Sequence, residues 1–168
     1  MYYGPRYENF LAFELHGICR NNLPISEDPD LNWIGGVGTG AYGAVKAALK
    51  HPDVFSKCIA IDGIFDMDAI CKKALNGESV GIYHKEESLK AVFGDITKVA
   101  GSEHDVYALA QKCNAGKFYI TGKKGSVYEE ERKRIAEELG DRAVYIETNG
   151  EVMDFSEPTV LKRAVEWL

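Results

Sequence analysis

The densest run of chemically suggestive residues is Gly35-Gly-Val-Gly-Thr-Gly-Ala-Tyr-Gly43. It follows a short apolar run, Leu31-Asn-Trp-Ile-Gly35, and leads into the alanine-rich segment Gly40–Lys50. That order predicts a strand, a glycine turn and a helix, and such a turn supports two kinds of chemistry. In the first, Gly38, Gly40 and Gly43 form a GxGxxG, with Asp62 at the end of the next strand about 20 residues on. Glycines there let the backbone approach a pyrophosphate, the helix start favours its charge, and the acid holds a ribose hydroxyl. Against this dinucleotide reading, a helix and a proline-containing loop precede the strand, whereas the fingerprint usually opens its domain. In the second, a strand-to-helix turn flanked by small residues is where a G-x-S-x-G nucleophile sits, in a strained conformation that larger neighbours would obstruct.

Other reactive groups are scattered. Lys123 and Lys124 follow the strand Lys117–Thr121, and with Thr39 and Gly40 at the helix start they could hold a carboxylate or phosphate. The plainer alternative is that both lysines are solvated loop charges. Ser126 lies in the same loop without an identifiable base. His51, in His51-Pro-Asp53, reads as a helix-end residue; His84 and His104 lie in polar loops and are expected to be exposed. His16, on an apolar helix, is expected to be a hydrogen-bonded core histidine. Cys19, Cys58, Cys71 and Cys113 show no CxxC spacing, so they read as reduced thiols and not as metal ligands.

The elements that position these groups follow from periodicity. Tyr7–Cys19 is apolar nearly all round and predicts a buried helix. Asn21–Asp30 carries two prolines and several turn formers. Leu31–Asp62 then reads as one βαβ unit, with His51-Pro closing its helix because the residue before proline is pushed out of the helical region. Three short helices are expected over Phe65–Leu75, Glu86–Phe93 and Asp105–Cys113. Lys117–Thr121 and Ala143–Glu147 read as strands, Tyr128–Leu139 as a charged helix, and Leu161, Ala164, Val165 and Leu168 as one face of a closing helix. The pattern is α/β, with about four parallel strands flanked by helices in three layers.

Composition narrows the class. The chain has 168 residues, 20 Lys+Arg against 26 Asp+Glu, a net charge of −6, 45% hydrophobic residues and four cysteines. One domain over 1–168 is expected, near the globular mean and far from disordered or disulfide-stapled chains. An acidic chain without a basic stripe is a poor nucleic-acid binder. No apolar run approaches the roughly 18–20 residues of a membrane span, and no secretory signal is visible. With the thiols, this predicts a soluble cytoplasmic protein.

Trp33-Ile-Gly-Gly-Val-Gly-Thr-Gly-Ala-Tyr-Gly-Ala-Val-Lys-Ala-Ala-Leu-Lys-His-Pro-Asp-Val-Phe55 resembles the nucleophile elbow, helix and following turn of the esterase D group of α/β-hydrolases. That group includes S-formylglutathione hydrolases and bacterial tributyrin and acetyl esterases. Cys58–Gly63, Phe93-Gly-Asp95, Gly101-Ser102, Asp105–Ala110, Phe118–Gly122 and Ala164–Leu168 extend the resemblance from about Tyr7 to the end. It implies acyl transfer, in which a serine attacks an ester carbonyl, a histidine shuttles its proton and an aspartate orients the histidine. At the corresponding positions this chain has Gly38 for the nucleophile, Gly125 for the acid and Glu151 for the base.

The resemblance therefore implies an esterase-like α/β-hydrolase without a triad, acting by binding and without a cofactor. The alternatives are an active carboxylesterase with displaced or shared catalytic residues, and the dinucleotide module. The resemblance also implies that the first half of an eight-stranded sheet is absent and that Leu31–Gly35 would normally be central. Its open edge predicts self-association as a twofold dimer.

Overall fold

The computed structural model describes residues 7–78, 86–149 and 159–168. Helices α1 (Tyr7–Asn9) and α2 (His16–Asn22) are joined through a π-helical stretch, Phe10–Leu15, into one continuous rod. After a loop come β1 (Trp33–Val37), α3 (Thr39–Lys50) and β2 (Lys57–Ile61). Helices α4 (Met67–Leu75), α5 (Glu86–Phe93) and α6 (Val106–Lys112) follow, then β3 (Lys117–Lys123), α7 (Glu129–Leu139), β4 (Ala143–Thr148) and α8 (Thr159–Trp167). The strands form one parallel sheet in the order β1-β2-β3-β4. This is the expected four-stranded α/β architecture, and nearly every boundary lies within two residues of the sequence reading.

Local chemistry explains the boundaries. Asp66, Asp95 and Asp105 each accept a backbone N–H at the start of the helical turn that follows, satisfying donors that a helix start leaves unpaired. His51 closes α3 by donating its N–H to Ala47 O at 2.8 Å. Strand alternation then separates two faces. Ile34, Gly36, Cys58, Ala60, Phe118 and Ile120 share a register layer, and the last four are fully buried. Gly36 packs against α3, and this face continues into the main core with Ala44, Val45, Phe65, Val106 and Ile135. The opposite face, running through Trp33, Gly35, Ile59 and Tyr119, meets α8. The Trp167 ring packs tilted against Tyr119, centroids 5.7 Å apart, and Lys57 Nζ donates to Leu168 O.

Two expectations about packing change. The first helix forms but is not buried: Ala12 is its one buried residue, while Phe10, Leu11, Phe13 and Ile18 are exposed. Ring contacts of Phe13 with His51 and of His16 with Phe55 hold it. So does Glu8, whose carboxylate lies 2.9 Å from Lys46 Nζ and 2.7 Å from Lys50 Nζ. Burial pushes the Glu8 carboxyl up, but hydrogen bonds from Lys50 and Lys46 outweigh it and bring the pKa to about 2. On the closing helix, Ala164 alone of the expected apolar face is buried; Leu161 and Val165 are exposed. An apolar stripe is buried only where another element lies over it, and among the described residues nothing covers these.

Candidate functional site at the carboxyl end of the sheet

Gly38 is the residue on which strand turns into helix. Its backbone has φ 59° and ψ −120°, and an added Cβ would meet nothing within 4 Å. Side chains strain this conformation, and glycine adopts it freely. The turn is tight because Gly36 lies against the helix start: a Cβ there would fall 2.2 Å from the Gly40 carbonyl carbon. Thr39 and Gly40 open α3, which has no side-chain cap and no acid in its first turn. Gly43 is exposed on the same helix.

The ladder runs one residue beyond the strands and places the other candidates. Gly38 N donates to Ile61 O at 2.9 Å, Asp62 N to Thr121 O at 2.8 Å, and Lys124 N to Thr148 O at 2.9 Å. Gly38, Asp62, Lys123 and Lys124 therefore share one end of the sheet, but β2 separates the glycine turn from the lysines by two strand spacings, roughly 10 Å. Asp62 stands between them. Among the described residues it is the one non-glycine with positive φ, at 52°. Its Oδ1 accepts from Lys123 N at 3.2 Å and lies 3.1 Å from Arg132 Nη1.

Arg132 is the residue that sequence reasoning missed. It is fully buried on α7, and its Nη2 donates to Lys123 O at 2.7 Å and to Ser126 Oγ at 2.6 Å. Gly122 makes room for it, since a Cβ there would lie 2.3 Å from Nε. The available signal was spacing: Arg132, Ile135 and Leu139 fall on one helical stripe, and the latter two are core residues. The guanidinium thus engages both the Ser126 hydroxyl and the Asp62 carboxylate. Gly125 is exposed at φ 75°, and its N–H donates to the Glu129 carboxylate, which the Lys133 ammonium first and this contact second hold below the usual range. Glu151 and His84 lie outside the described residues.

The other histidines sit around α3. His51 Nε2 is 3.2 Å from the Glu8 carboxylate. His104 is buried, not exposed as expected: Phe93 packs on its ring at 5.2 Å, and Lys46 Nζ lies 3.1 Å from its Nδ1. Burial first, and the Lys46 charge second, push its pKa below the ordinary imidazole value. His16 is half-buried, and its Nε2 has no hydrogen-bond partner among the described residues, in place of the satisfied core histidine expected. Cys58 and Cys71 are buried, Cys19 and Cys113 partly so. Among the described residues no cluster of His, Cys, Asp or Glu is placed to hold a metal ion, and no helix is long and apolar enough to cross a membrane. A cavity of about 100 Å³ between Asp66, Asp105, Tyr107 and Arg134 is lined by His104 as well, and includes neither the glycine turn nor the two lysines.

Comparison with known proteins bears on the family and the fold. The family described as "Putative esterase" matches residues 2–141. An acetyl esterase of Caldicellulosiruptor saccharolyticus is 27% identical over 114 residues, covering 68% of this chain and 42% of that protein. The S-formylglutathione hydrolase of Staphylococcus aureus superposes with a TM-score of 0.75 at 23% identity, over 99% of this chain and 65% of that one. The S-formylglutathione hydrolase of Agrobacterium tumefaciens gives 0.70 at 17% identity, over 95% of this chain and 55% of that one. The chain thus spans less than two thirds of the length of each of these relatives.

Proposed function

The chain belongs to the esterase family of α/β-hydrolases, and on that premise we propose that it is a non-hydrolytic member that acts by binding. Gly38 occupies the nucleophile position, Gly125 the acid position and Glu151 the base position. The observation that carries this reading is the Gly38 backbone, which holds the strained turn of a nucleophile at φ 59° and offers no side-chain atom. Acyl transfer needs a nucleophile with a base within hydrogen-bond reach. Ser126, the nearest hydroxyl on the neighbouring loop, is hydrogen-bonded to an arginine, which is always protonated and takes no proton from it. His51 and His104 are engaged with Glu8 and Lys46.

What remains is an uncapped helix start at Thr39 and Gly40, with Lys123 and Lys124 two strands away. That arrangement favours a small anion such as a carboxylate. The test is hydrolysis of p-nitrophenyl acetate by protein purified free of contaminating esterase. The rate should equal that of buffer, and turnover above it would establish an active carboxylesterase. The binding half is read by titrating acetate and following the Thr39 and Gly40 amide resonances. They should move in the parent chain and move less in Lys123→Gln/Lys124→Gln; unmoved resonances would refute binding there.

A further inference from the structure

We propose that His104 is an acid-sensitive switch with two ring positions. Neutral, its imidazole is held by Lys46 on α3; protonated, it turns into the cavity of about 100 Å³ between α4, α6 and α7, toward the carboxylates that line it.

A hydrogen bond fixes the neutral position. Lys46 Nζ lies 3.1 Å from His104 Nδ1. An ammonium only donates, so Nδ1 accepts and the ring proton sits on Nε2. A proton added to Nδ1 removes that bond and sets two cations against each other in a buried place, where salt screens them little. Lys46 is not free to retreat, because the Glu8 carboxylate holds it at 2.9 Å. The backbone is tied as well. Tyr42 Oη donates to the His104 carbonyl at 2.8 Å, and the His104 N–H donates to Ser102 Oγ at 3.1 Å. Lys50 pairs with the neighbouring Glu103 at 2.6 Å. The imidazole is the part left to move.

The cavity supplies the second position, and His104 already forms part of its wall. Asp66, Asp68 and Asp105 contribute three carboxylates to the lining, against the one guanidinium of Arg134. Local contacts hold these acids in place: Asp66 and Asp105 accept backbone N–H groups, and Asp68 pairs with Lys72 at 2.6 Å. A carboxylate has about four lone-pair sites, so each can still accept an imidazolium N–H. Burial and the Lys46 charge favour the neutral ring, which places the switch below the ordinary imidazole pKa of about 6.5. Glu8 stays ionised down to about 2, so the first helix remains docked while the ring moves. The inference does not depend on whether the glycine turn binds an anion.

NMR titration of the nitrogen-labelled chain from pH 8 to pH 4 tests it. At pH 8 the His104 Nδ1 should resonate as an unprotonated acceptor. Through the midpoint its ring protons should approach the Met67 methyl and the Tyr107 ring, which line the cavity. Lys46→Gln, which keeps a donor without the charge, should raise the midpoint. Asp105→Asn, which keeps a capping side chain on α6, should lower it. If Asp105→Asn fails to fold, Asp68→Asn is read in the same way. A neutral ring with its proton on Nδ1, a ring that does not titrate above pH 4 or titrates without approaching Met67, or a midpoint that a folded variant leaves unmoved would each overturn the proposal.

Discussion

The buried guanidinium of Arg132 lies 3.1 Å from the Asp62 carboxylate and ties the end of β2 to α7. Through Lys123 O and Ser126 Oγ it also holds the loop that follows β3. Removing Arg132 takes the cation from an Asp62 carboxylate that is 28% exposed and strips Lys123 O and Ser126 Oγ of their charged donor. Arg132→Ala should therefore cost about 2–3 kcal/mol, read as a fall in the urea midpoint at constant slope. Arg132→Met with Asp62→Asn should recover part of that loss. An Arg132→Ala effect within about 0.5 kcal/mol, as for ordinary surface changes, would show that the contact contributes little.

The glycines of the turn should respond in opposite ways to a methyl group. At Gly36 the Cβ would meet the Gly40 backbone at 2.2 Å, so strand and helix must part, a loss beyond about 3 kcal/mol. At Gly38 the space is open and only the positive φ resists, about 1–3 kcal/mol. Thermal melts of Gly36→Ala and Gly38→Ala should rank in that order. The reverse ranking would mean that the turn is not packed as described.

Acid should loosen the first helix. Glu8 is held at about 2 in the folded chain by Lys50 and Lys46 despite its burial, below the 4.5 of a free glutamate. A depressed carboxyl contributes stability that is fully present above its unfolded pKa and is lost as pH falls through the folded one. The melting-temperature gap between the parent and Glu8→Gln should be constant near neutrality and shrink between about pH 4.5 and 2. A gap that does not change with pH would remove Glu8 from this role.

The thiols should fall into two groups. Burial pushes Cys58 strongly up, while burial and the Asp68 charge take Cys71 to about 11. Thiolate is the reactive form, so a disulfide reagent at pH 8 should label Cys19 and Cys113 in the native chain and reach Cys58 and Cys71 only after unfolding. Rapid native labelling of Cys58 would mean that the sheet opens locally.

Most of the architecture was legible because it is written in local pattern. The alanine run of α3, the charged run of α7 and the apolar runs of β2 and β3 each identify their own element without knowledge of the others. Gly38, too, could be placed from its neighbours, since a strand-to-helix turn among small residues is a short-range signal. Burial was harder to read. Apolar composition alone made Tyr7–Cys19 look like core, and polar neighbours made His104 look exposed. The actual environments depend on Phe93, Lys46 and the extent of the sheet, all distant in sequence.

Arg132 marks the same boundary most sharply. Within Glu-Glu-Glu-Arg-Lys-Arg it reads as a solvated charge, and nothing nearby indicates that it lies across Gly122 toward a carboxylate 70 positions earlier. The sequence by itself determined the order of elements, the family's turn and the absence of a serine at it, because these are properties of contiguous residues. Only the tertiary structure decided which charges meet and which apolar faces stay uncovered. Those depend on register and packing between segments that the chain brings together only by folding.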